Sequence, residues 1–237
     1  MAADKAHKLY ARGDLESPIA GVWMVAARCP FPLYRRMAIW KLPDGSLLAH
    51  SVIAMDDAGM AQLDALGRVS IILVPHEGHR LDAGFYKRRY PDARVVAPAA
   101  SRAKVERMVA VDAPAEDELP KHGIVIHALP GWRHGELAYE FGLPGGDRAL
   151  VLCDVLTNRD PPPGFGGWLV TKTTSAVPGP LGVAPIMKLA MLKDRAAAKE
   201  GLARLADIPD VRIVATAHGR PVLTDCAGAL RAAAASL

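Results

Sequence analysis

Residues 74–84 read VPHEGHRLDAG and place His76, Glu77, His79 and Asp82 within a seven-residue window. Imidazole and carboxylate bind divalent cations through nitrogen and oxygen, so the stretch has the makings of a ligand loop. Three more ligand-type residues follow apolar runs: His134 after HALPG, Asp154 after LVLC and His218 after IVATA. A zinc ion takes three or four such ligands at about 2.0–2.2 Å, and they must converge from separate rigid elements. An ion held with an open position lowers the pKa of its water to about 7 and so supplies hydroxide at neutral pH. The chemistry indicated is metal-assisted hydrolysis. His79, His134, Asp154 and His218 are the candidate ligands, and Asp82 or Glu136 the candidate proton carriers.

Each residue also has a plainer reading. Asp82 stands just before a helix and fits an N-cap. His76 follows a proline and reads as a surface group or one behind the ligands. His79 and His134 could be hydrogen-bonded loop histidines, and Asp154 could cap a turn. His218 carries the clearest signal, because the glycine after it allows close backbone approach. His50, His122 and His127 read as structural. Arg80 and Arg133 could clamp an anionic substrate or lie solvated. Cys153 reads as core or as a weak ligand. There is no GxSxG, GxGxxG or GxxxxGK[ST] motif.

The elements that must position these residues alternate in type. Residues 1–18 read as a loose lead-in, IAGVWMVAA as a buried strand, and Pro43-Asp44-Gly45 as the turn of a hairpin. Asp56 or Asp57 caps a helix to Leu66, with Gly67 just past its end. VSIILVP is a buried strand, Ala83 to Tyr90 a helix stopped by Pro91, ARVVAP a strand and SRAKVERM a short helix with a capping serine. AEDELP reads as an acidic loop. GIVIHALPG, the hairpin ELAYEFGLPGGDRALVLCD and VRIVATAHG read as strands. Residues 160–180, rich in Pro, Gly and Thr and including the Gly164–Gly167 cluster, read as a long irregular loop over the pocket. Residues 184–206 and 225–237 are helical by composition.

Composition bounds the class. The chain has 237 residues, 51% hydrophobic and 23% charged, with a net charge of +4. That is an ordinary globular balance for one domain over residues 1–237. The basic residues are scattered and aromatics make up only 5%, which argues against nucleic acid as a partner. Mild basicity suits a small-molecule substrate that is anionic. Three dispersed cysteines, Cys29, Cys153 and Cys226, form neither a disulfide framework nor a CxxC site, which suits a reducing cytoplasm. No apolar run is long enough for a membrane span, and the amino terminus has no signal-peptide pattern.

The order of elements and the four loop positions resemble the metallo-β-lactamase fold superfamily over roughly residues 20–225. The superfamily's first motif is His-x-His-x-Asp-His after a buried strand. Its others are a His in a Pro-Gly-His loop, an Asp after a strand and a His-Gly after the last strand. Asp154 in LCD and His218-Gly219 in AHG match. LPGWRHGE keeps Pro130 and Gly131, but Trp132 stands where the His would be and His134 lies two residues on. Aligned on the following Ala-Gly, Glu77, His79, Leu81 and Asp82 occupy the positions of the first motif; a shifted register would keep only His76.

The resemblance implies an αββα sandwich and a hydrolase acting on an ester, thioester, lactone or phosphoester. Leu81 cannot ligate, so it implies a single-ion site of His79, His134, Asp154 and His218, joined by Glu77 or Asp82. The ion would be Zn, or Mn or Fe given the carboxylates. Leu81 and Trp132 keep an alternative open: a non-hydrolytic binding or regulatory protein of the same fold with no metal.

Overall fold

The computed structural model describes residues 9, 12–28, 34–133, 135–158 and 181–237. Two sheets lie face to face between helical layers, the expected αββα order. The first sheet holds β1 (Glu16–Ile19), β2 (Val22–Arg28), β3 (Tyr34–Lys41), β4 (Leu47–His50), β5 (Val69–Leu73), β6 (Arg94–Ala97) and β7 (Ala113–Pro114), side by side in that order. Strands β1 to β4 are antiparallel and β4 to β7 parallel. The second sheet holds β8 (Val125–Ala128), β9 (Leu137–Gly142), β10 (Arg148–Leu152) and β11 (Val211–Thr216), with β10 and β11 parallel.

Alternation along the strands splits the core into three layers. Met24, Trp40, Leu48 and Leu73 meet Tyr139, Phe141, Val151 and Ile213 between the sheets. Trp40 stacks on Phe141 there with ring centroids 4.4 Å apart. The outer face of the first sheet is covered by α1 (Asp57–Leu66), α2 (Ala83–Arg89) and α3 (Arg102–Val105), through Met60, Leu63, Tyr86 and Val105. The outer face of the second is covered by α6 (Arg195–Ala206) and α7 (Cys226–Ala235), through Leu202, Leu205 and Leu230. Two short helices, α4 (Ala115–Glu118) and α5 (Pro185–Met191), complete the α-helices among the described residues.

Several local expectations change. The run Ile19 to Ala27 is not one strand: Gly21, at φ 82°, turns β1 back on β2, so Glu16 to Pro18 belong to an edge strand and not to a lead-in. AEDELP forms α4, whose three acidic residues sit in its first turn, where the helix dipole favours them. Ser101 does not cap α3; its hydroxyl donates to Glu77 at 3.5 Å. Residues 184–206 are two helices. The chain breaks where the N–H groups of Lys193 and Asp194 donate to Gly131 O at 2.7 and 3.1 Å, and Asp194 then caps α6 by accepting from Ala197 N. Gly131 makes this docking possible: its φ is +84°, and a Cβ would lie 2.2 Å from Asp194 O. The expected loop at 160–180, its glycine cluster and Cys29 lie outside the described residues.

Candidate metal centre

The site lies where parallel neighbours end. Strand β5 leads into a 3₁₀ turn, Glu77–His79, capped by His76. In such a turn residues three apart eclipse, so His76 and His79 point the same way, with ring centroids 4.8 Å apart. Strands β10 and β11 pair Leu152 with Thr216, so Asp154 and His218 leave the second sheet side by side.

Three imidazoles meet on one carboxylate. His76 Nε2 lies 3.0 Å from Asp154 Oδ2, while His79 Nε2 and His218 Nε2 each lie 3.1 Å from Oδ1. Behind the rings, His79 Nδ1 is 2.6 Å from Ser51 Oγ, and His218 Nδ1 donates to Tyr34 O at 2.8 Å. The Cys153 thiol stands 3.6 Å from Asp154 Oδ1. Potential ligand atoms of His76, His79, Cys153 and Asp154 all lie within 4.8 Å of one another. Burial pushes His79 down to about 4 against the pull of Asp154. Burial opposes the charge on Asp154, but the field of His79 and the surrounding imidazoles hold it well below the usual carboxylate range.

His218 supplies the test of whether an ion fits. Tyr34 O can only accept, so Nδ1 carries a hydrogen, and Nε2 is the ring nitrogen left to face Asp154. That nitrogen faces a carboxylate oxygen across 3.1 Å. A contact of this kind is bridged by a proton on Nε2 or by a metal cation that takes its place. The edge of a tetrahedral shell with bonds of 2.0–2.1 Å is about 3.3 Å long, so a separation of 3.1 Å would need to open only slightly to admit an ion. The donor set of imidazole, carboxylate and thiol suits zinc first.

No family model matches the sequence, and no curated protein matches it. Solved structures do match. A metallo-β-lactamase from Erythrobacter litoralis with β-mercaptoethanol in its active site covers 94% of this chain and 96% of its own, at TM-score 0.63 and 14% identity. FIM-1 from Pseudomonas aeruginosa, a metallo-β-lactamase in its mono-zinc form, covers 98% of each chain at TM-score 0.63 and 14% identity. The chain has the metallo-β-lactamase fold.

On this metallo-β-lactamase fold, His79, Asp154 and His218 come together, while His134 lies outside the described residues. Asp82 is buried, but its carboxylate pairs with Arg35 and makes no side-chain cap bond, so the N-cap reading is replaced by a buried ion pair. Glu77 pairs with Lys104 at 2.5 Å, and Leu81 is 47% exposed. In this window it is the two histidines that reach Asp154, and Glu77 and Asp82 are engaged elsewhere. Trp132 packs in the core beneath α6. Arg80 Nη1 donates to Glu77 O, and Arg133 N–H donates to Met191 O. His127 pairs with Glu140 at 2.8 Å, a structural role like that expected, and His122 lies 3.8 Å from Glu118.

Glu136 is 5% exposed, and its Oε1 has no hydrogen-bond partner. Burial pushes it up to about 7, helped by Asp154 and Glu77 and opposed by His76, so it lies within electrostatic reach of the centre. Below lies a polar floor between the sheets. His50, which burial pushes down to about 3, has neither ring nitrogen partnered; the Tyr139 ring meets it edge-on at 5.9 Å with its hydroxyl also unpartnered. Sequence reasoning missed Ser51 and left His76 as a surface group or one behind the ligands. The spacing of His76 and His79 was the available signal, but only a 3₁₀ turn makes three-residue spacing a shared face.

Proposed function

We propose that the protein is a metal-dependent hydrolase that opens an ester, thioester, lactone or phosphoester. The observation that supports this best is the convergence of His79, His218 and His76 on the two oxygens of Asp154. His79 Nε2, His218 Nε2 and Asp154 Oδ1 would hold one divalent ion, with Cys153 Sγ within reach and His134 a further candidate. A bound zinc, or manganese or iron, supplies a hydroxide at neutral pH and polarises the scissile oxygen. The chain's own groups do the rest. Ser51 and Tyr34 O fix the ring planes of His79 and His218, as partners behind metal ligands do. Glu136, enclosed beside the centre with a free carboxyl oxygen, would take up the proton released on attack. Asp82, the other proton carrier considered, is committed to Arg35 and would serve the fold of the loop. The substrate would be a small molecule, with the exposed Arg133 a candidate for an anionic group.

Protein purified without chelator is expected to carry close to one equivalent of metal, lost in His79→Ala and His218→Ala, and to hydrolyse at least one of the four substrate classes. Metal-free protein whose thermal midpoint ignores Zn²⁺, Mn²⁺ and Fe²⁺ would sink this reading. It would favour a non-hydrolytic binding protein, a reading that draws on Trp132 and Leu81 standing where the resemblance implies ligands.

A further inference from the structure

His76 belongs to the cluster by distance, but its ring is set the opposite way from that of His218. The main-chain N–H of Gly78 donates to His76 Nδ1 at 3.0 Å. A backbone N–H can only donate, so Nδ1 is an acceptor, and the neutral ring carries its hydrogen on Nε2. That hydrogen lies on the line to Asp154 Oδ2, 3.0 Å away. Gly78 makes the approach possible: a Cβ there would fall 2.7 Å from His76 Cε1 and 3.1 Å from Nδ1. The two faces of Asp154 therefore differ. Oδ2 receives an N–H, and Oδ1 faces the nitrogens of His79 and His218.

We propose that His76 is not a metal ligand but a positioning residue, whose Nε2–H holds Asp154 Oδ2 and leaves only Oδ1 for an ion. This rests on the metal reading above for its second half. To ligate through Nε2 the ring would have to move its hydrogen to Nδ1, where it would point at the hydrogen of Gly78 N. The site is then a two-histidine, one-carboxylate face from His79, His218 and Asp154, with the Cys153 thiol beside it.

Histidine side-chain ¹⁵N spectra of the intact protein test the proposal directly. In the metal-free protein His76 is expected to show a pyridine-like Nδ1 and a pyrrole-like Nε2. Two pyrrole-like nitrogens, or the reverse tautomer, would overturn it. On loading with ¹¹³Cd, coupling to cadmium is expected at His79 and His218 and not at His76; coupling at His76 Nε2 would overturn the proposal as well. Cadmium that couples to none of the three rings overturns the metal reading and leaves the tautomer result to judge His76. A second measurement uses variants. His76→Gln, which keeps an N–H donor, should retain its metal, whereas His76→Leu should bind roughly 10–100-fold more weakly, the usual effect of losing a group behind a ligand. Complete loss of metal in His76→Gln, with the fold intact by circular dichroism, would contradict the positioning role.

Discussion

Ser51 Oγ lies 2.6 Å from His79 Nδ1, on a residue that is fully buried and has a φ of 55°. Left-handed backbone is costly for a residue with a Cβ, by roughly 1–2 kcal/mol. The chain accepts it at the end of β4, where register pairs His50 with Leu73 and so brings Ser51 beside the loop of His79. The twisted backbone turns the hydroxyl onto the ring. Ser51→Ala should keep the strain and lose the hydroxyl; Ser51→Gly should relieve the strain and lose the hydroxyl. Both are therefore expected to weaken metal binding about 10–100-fold in chelator competition, with Ser51→Gly the more heat-stable of the two. Wild-type affinity in both variants would leave Ser51 with a purely structural role.

Gly219 fixes the other histidine. Its φ is +110°, and a Cβ would lie 1.8 Å from Asn158 O. Asn158 N donates to His218 O and Arg220 N to Asn158 O, so the His218 loop is clamped against the chain that follows Asp154. Gly219→Ala must break that clamp and is expected to cost more than about 2 kcal/mol in denaturant unfolding, in line with backbone clashes at special conformations. Gly45→Ala is the matched control, since Gly45 also has positive φ, +82°, but a Cβ there meets nothing within 4 Å. Equal losses in the two variants would mean that backbone strain alone, and not the Asn158 contact, makes Gly219 necessary.

The fold was legible in the sequence because its signals are local: β-branched runs, the Asp44-Gly45 turn, and Asp56 capping α1 through Gly59 N at 2.9 Å. Asp154 and His218 were legible for a related reason, since a polar residue just past an apolar strand is carried to the sheet's end. His76 was not. Whether it joins His79 depends on the three-residue turn between them, and nothing in the letters EGH distinguishes a 3₁₀ turn from an extended loop. Asp82 looked like a cap because its partner Arg35 lies 47 residues away in sequence, on β3. The break at Leu192 to Asp194 was hidden for the same reason: residues 184–206 have helical composition throughout, and the interruption is imposed by Gly131 from another part of the chain.

The polar floor offers a stability test away from the ligands. Tyr139 is fully buried and its hydroxyl has no hydrogen-bond partner, with His50 beside it in the same condition. A buried hydroxyl that makes no bond has lost its water without compensation. Tyr139→Phe removes one oxygen and keeps the ring, so it should raise stability, by about 1 kcal/mol, the lower end of what an unsatisfied buried group costs. Urea unfolding would read this as a higher midpoint at unchanged slope. A lower midpoint would show that the hydroxyl is bonded in solution.

Acid should act on the protein through Glu118 in α4. Its side chain is only 6% exposed, and it pairs with Arg94 and Lys121, both at 2.9 Å. Burial raises its pKa, but the Lys121 hydrogen bond and the charges of Arg94, Lys121 and His122 outweigh it, so the folded value lies below the ordinary 4.5. A carboxyl depressed in the folded state stabilises fully above its unfolded pKa. That stabilisation is lost as the pH falls from about 4.5 through the folded value, because the unfolded chain then binds the proton first. Glu118→Gln removes the titrating group. Its unfolding free energy, followed by urea titration from neutral pH downward, should start lower than wild type and fall less steeply below about pH 4.5. Parallel curves through that window would show that the carboxylate's partners do not hold it in the folded state.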